Sequence, residues 1–94
     1  MNDPAHIEAA QGLAKRMASH SPELEEQLAF GVLLATQQTA SPEMRRELVS
    51  LHGASAADYQ NSPEESAKLA ETPQSAALVL VANTILNLDS ALTR

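Results

Sequence analysis

The chain lacks cysteine and tryptophan, and it carries a single phenylalanine and a single tyrosine. Without cysteine there is no disulfide, no thiol nucleophile and no thiolate metal ligand, and the redox compartment is left open. Basic residues are also scarce, six Lys and Arg against twelve Asp and Glu, for a formal net charge of -6. Nucleic-acid binding needs cations for phosphate and aromatic rings for bases, so this balance argues against it. Lys15-Arg16 and Arg45-Arg46 are isolated basic pairs. Long apolar runs are missing too. The longest, Ala76 to Ala82, is far short of the ~20 residues that span a bilayer. Residues 1–20 mix Asp, Glu, His, Lys and Arg and do not read as a signal peptide. Glycine is scattered at Gly12, Gly31 and Gly53, which leaves no phosphate-cradling loop.

What the chain does have is alanine and well-placed proline. A hydrophobic fraction of 44% over 94 residues fits one globular domain. Much of that fraction is alanine, which buries little area per residue. At ~25 cal/mol per Å² of apolar surface, a core of this kind is only marginally stabilising. A neighbouring domain or a second copy is then expected to contribute.

All five prolines follow a residue able to cap a helix: Asp3-Pro4, Ser21-Pro22, Ser41-Pro42, Ser62-Pro63 and Thr72-Pro73. Proline suits the first helical turn, where its fixed φ is an advantage and no amide hydrogen is needed. The side-chain oxygen before it accepts from an orphan amide. Glu23, Glu43 and Glu64 follow three of these prolines, where the helix dipole favours negative charge. The pattern predicts an all-α fold, a small irregular bundle of about five helices at residues 4–19, 22–37, 42–52, 63–71 and 73–92.

The apolar periodicity agrees with those starts. The first helix places Ile7, Ala10, Leu13, Ala14, Met17 and Ala18 on one face. The second carries Leu24, Leu28, Gly31, Val32 and Ala35, with Phe30, Leu33 and Leu34 widening the stripe. The third has Met44, Leu48 and Leu51 in phase and is expected to end near His52-Gly53, glycine being the usual terminator. Ala54 to Tyr59 reads as a loop or as one or two helical turns. Pro63 to Glu71 is a short helix with Glu64 and Lys68 at i,i+4 spacing. The last segment, Pro73 to Leu92, is apolar on most sides and is expected to be the central helix. A buried strand over 78–82 is the minority reading. The recurring Ser-Pro-Glu is a helix opening and not a true repeat, because the residues after it do not match.

No catalytic, cofactor or metal constellation emerges. His6, His20 and His52 pair with no other ligand at metal spacing. His20 and His52 fall at expected helix C-terminal ends, where imidazole complements the dipole. Glu25-Glu26 and Glu64-Glu65 read as solvated faces, and the serines lie in capping turns. The polar set of interest is Asn83, Asn87 and Asp89, since a buried Asn without partners costs about 1–3 kcal/mol.

Three stretches carry a family resemblance. Asn2-Asp3-Pro4, followed by Glu8-Ala9-Ala10 and Leu13-Ala14-Lys15-Arg16, resembles the opening of one family's terminal region. Leu28-Ala29-Phe30 resembles its next helix, and Leu78 to Arg94, with Leu86-Asn87-Leu88-Asp89, is similar to its close. The family comprises the large planctomycete proteins of the domain of unknown function 1553, and the stretches resembled belong to the C-terminal region of those proteins. Such proteins often carry a cytochrome-c-like domain and are mostly exported. Two departures stand out: Ala35-Thr36-Gln37-Gln38 replaces a usual Gly-Arg-x-Pro, and Ser90 stands where Glu is usual. The resemblance implies that residues 1–94 form a single helical domain, a C-terminal piece of a larger protein. The expected function is a non-catalytic packing or interaction module, its partner the rest of the parent polypeptide or another protein. Self-association into a homo-oligomer is the first alternative. A share in a composite active site, through Asn87 and Asp89, is the second.

Overall fold

A computed structural model describes residues 4–92, and side chains from residue 6 to residue 88. Five helices follow one another: α1 (Pro4–His20), α2 (Leu24–Thr36), α3 (Pro42–Gln60), α4 (Pro63–Leu69) and α5 (Pro73–Leu92). There is no strand among the described residues, so 78–82 is helical and the strand reading is set aside. The all-α expectation holds.

Helix starts follow first-turn chemistry. Ser41 Oγ accepts from the Met44 amide at 3.1 Å, and Thr72 Oγ1 accepts from the Ser75 amide at 3.0 Å. Both are N-caps with proline next in the chain. Ser62 precedes Pro63 without any side-chain cap bond. Asp3, the proposed first cap, lies outside the described residues. Ser21 behaves differently from the expectation. Its hydroxyl accepts from the Glu23 amide at 3.1 Å, and its carbonyl accepts from Gln27 Nε2 at 2.7 Å. These bonds hold Pro22 in a bend, so α2 begins at Leu24 and not at Pro22.

The largest correction concerns α3. It does not end at His52-Gly53 but runs unbroken to Gln60. Glycine terminates a helix by adopting a left-handed conformation, and no described glycine has positive φ. Gly53 instead takes the ordinary helical cost of about 1 kcal/mol. Beyond it, Ser55 and Ala56 are buried on the side of α3 that packs into the bundle. The α3–α5 contact is the most extensive between any two helices. At the other end of the range, α4 stops at Leu69, short of residue 71.

The true left-handed terminator is Gln37, with φ 60° and ψ 23° after α2. Its amide bonds the Leu33 carbonyl at 2.8 Å, closing the helix end.

Helix α5 packs against each of the other four, as expected of a central helix. Ala76, Ala77, Val81, Ala82 and Ile85 are fully buried on it. Ala10, Ala14 and Met17 of α1 and Leu28 and Val32 of α2 complete the centre. Ile7 and Leu13, expected on the same face of α1, are half-buried, and Ala18 is exposed. Alanine keeps the helices close. The radius of gyration of 12.4 Å matches the ~12 Å of a compact chain this size.

Candidate docking groove

Where α4 hands over to α5, the chain passes α1 without filling the space beside it. A groove of about 670 Å³ results. Its floor is apolar: Ala14, Leu78 and Val79 are buried, and Leu69 and Ala70 half-buried. Gly12 and Ala18 line the α1 wall and are exposed. A Cβ placed on Gly12 would meet nothing within 4 Å, so the wall is open at this point. Glu8, Lys15 and Glu71 stand on the rim, all exposed. Gln11 Nε2 donates to the Leu69 carbonyl at 3.0 Å and ties the α4 end to α1. On the α5 side, Thr72 Oγ1 donates to Ser75 Oγ at 3.0 Å.

A second apolar area lies on α2. Leu28 and Val32 face the core, and on the opposite side Leu33 is 47% exposed beside half-buried Phe30 and Leu34. Phe30 stacks on His20, ring centroids 4.0 Å apart and planes 1° from parallel. His20 is the last residue of α1, as expected, and the stack joins that end to α2.

His52 sits elsewhere than expected. It lies mid-helix in α3, where its Nε2 donates to the Gln74 carbonyl at 3.1 Å and links α3 to the first turn of α5. His6 is half-buried with its Nε2 buried and, among the described residues, without a hydrogen-bond partner. Among the described residues no group of three His, Cys, Asp or Glu side chains can hold a metal. No helix among them is long and apolar enough to cross a membrane. Lys68 pairs with Glu65 at 3.3 Å, one residue away from the Glu64 partner implied by i,i+4 spacing.

The polar set on α5 is not brought into one site. Asn83 is half-buried, with its Oδ1 buried and unpartnered among the described residues, whereas Asn87 is exposed. The Asp89 side chain lies outside the described residues. Of the other motif positions, Phe30 is in the stack, Pro4 opens α1, and Leu86 and Leu88 are half-buried on α5. Asn2 and Asp3 lie outside the described residues.

Single-helix periodicity had no means of foreseeing the groove. Its walls belong to α1 and α5, and its end is set by where α4 stops. The one local signal is the set of small residues Gly12, Ala14 and Ala18 on α1, which keeps that wall low.

No family model, curated protein or solved structure matches the chain.

Proposed function

We propose that this chain is a non-catalytic helical docking module whose working surface is the groove between α1 and the α4–α5 junction. The observation that carries the reading is the groove itself: an apolar floor, left open beside a core rich in alanine. Isolated exposed apolar residues are normal, but contiguous concave apolar surface marks interaction sites. The partner is another protein segment, ordinarily the rest of the polypeptide to which a C-terminal region of the domain of unknown function 1553 kind belongs. Resemblance at both ends of the chain supports that assignment.

The test is binding of an apolar fluorescent dye under native conditions, compared between the wild type and Gly12→Met. The added side chain has room at Gly12 and lies over the floor. Enhanced fluorescence from the folded wild type, cut by the substitution at unchanged helicity, is the expected result. No enhancement at all sinks the reading.

A second reading, self-association, draws on exposed Leu33 with Phe30 and Leu34 on α2. Light scattering at micromolar concentration separates the two. A monomer that still binds dye in the groove removes self-association and leaves docking standing.

A further inference from the structure

The walls of the groove carry charge in an order that an occupant must match. Glu8 and Lys15 lie seven residues apart on α1, which puts them on one side of the helix about 10 Å from each other. Glu71 stands on the same rim, at the α4–α5 junction. Among the described residues none of the three forms an ion pair, and all are exposed, so they are available to an incoming segment. The rim therefore presents two carboxylates and one ammonium over an apolar floor. From Glu8 to Ala18 the α1 wall runs about 15 Å, close to three helical turns. That length and the low wall at Gly12 suit a helix laid into a groove rather than an extended strand, which would need an exposed sheet edge.

Building on the docking reading, we infer that the occupant is an amphipathic helix with an apolar stripe flanked by basic residues. Its Lys or Arg side chains face Glu8 and Glu71, and an acidic residue about two turns along faces Lys15. Small apolar side chains of the stripe rest on Leu69, Leu78 and Val79. Charges at the rim of such a contact set orientation and partner choice more than affinity. The apolar stripe supplies the binding, and the basic flanks select which helix binds and which way it lies.

The experiment uses two synthetic helical peptides of about 14 residues, long enough for the groove. Both have the same Leu and Ala stripe and one Trp; one is flanked by Lys, the other by Glu. The protein has no Trp, so the fluorescence reports the peptide alone. The Lys-flanked peptide is expected to bind the wild type about tenfold more tightly than its Glu-flanked twin. Glu8→Lys with Glu71→Lys is expected to reverse that preference, and Gly12→Met to weaken both peptides about tenfold or more. Circular dichroism confirms that each variant folds.

Equal binding of the two peptides, with both blocked by Gly12→Met, overturns the charge inference while the docking reading stands. Lys-peptide binding untouched by Gly12→Met means general attraction to an acidic protein and overturns the inference. Binding by neither peptide, in a protein that still binds dye at Gly12, overturns a helical occupant. If dye binding is absent as well, the docking reading falls with it.

Discussion

Met17 and Gly31 occupy one another's space. A Cβ built on Gly31 would lie 2.6 Å from Met17 Sδ, 2.9 Å from Cε and 3.0 Å from Cγ. Met17 is fully buried and so has no solvent to retreat into. Glycine on α2 thus lets the largest buried side chain of α1 fill the gap between the two helices. Gly31→Ala should cost about 1–3 kcal/mol in overpacking, partly offset by about 1 kcal/mol of better helix propensity. Gly12→Ala and Gly53→Ala meet nothing within 4 Å and should each stabilise by about 0.5–1 kcal/mol. Thermal melts followed by circular dichroism check all three. A rise for Gly31→Ala equal to that for Gly53→Ala contradicts the packing account.

Gln37 holds a left-handed conformation that costs a residue with a Cβ about 1 kcal/mol and costs glycine far less. The geometry is fixed by its amide bond to the Leu33 carbonyl. Gln37→Gly should therefore stabilise by a few tenths of a kcal/mol to about 1 kcal/mol, despite the extra chain entropy in the unfolded state. Gln38→Gly, one residue on and without positive φ, serves as the control and should destabilise. Denaturant midpoints measure both.

Capping separates prolines that look alike. Ser41 and Thr72 accept from the amides three residues on, and Ser62 makes no such bond. Ser41→Ala and Thr72→Ala should each cost about 1 kcal/mol, and Ser62→Ala much less. Equal losses at all three sites would show that proline preset, rather than the side-chain cap, starts these helices.

Helix starts were legible because capping is a matter of three or four adjacent residues. Pro42, Pro63 and Pro73 open their helices for reasons contained in the local chain. The continuation of α3 was not legible, since it turns on burying Ser55 and Ala56 against elements distant in sequence. That non-local gain outweighs the propensity of one glycine. The groove is harder still: each wall reads as an ordinary helix face, and only their mutual placement makes a concavity. His52 shows the same limit, as its partner is the carbonyl of Gln74 in another helix.

Tyr59 offers a pH-dependent readout of the α3–α4 corner. Burial raises its pKa above the ordinary 10.0, and the nearby carboxylates of Glu65 and then Asp58 push it the same way. The folded chain therefore keeps the phenol proton at a pH where the unfolded chain has lost it. Stability linked to this group is fully present below pH 10.0 and is lost as pH rises from there through the higher native value. As the only tyrosine, Tyr59 can be titrated by phenolate absorbance without ambiguity. The native midpoint should lie above that measured in denaturant, and Glu65→Gln should move it part of the way back.

Asn83 makes the final case, because its buried Oδ1 has no hydrogen-bond partner among the described residues. An unsatisfied buried acceptor costs about 1–3 kcal/mol, and Asn is also a weaker helix former than Ala by several tenths of a kcal/mol. Most core-proximal substitutions destabilise, yet Asn83→Ala should stabilise by about 1 kcal/mol once the lost packing is subtracted. Asn83→Asp places a charge where Oδ1 was already without a partner and should destabilise strongly near neutral pH, with recovery as the carboxyl is protonated in acid. Chemical denaturation of both variants at two pH values measures these effects. Loss of stability in Asn83→Ala would mean that Oδ1 is satisfied in solution, and the account of a strained polar position on the central helix would fail.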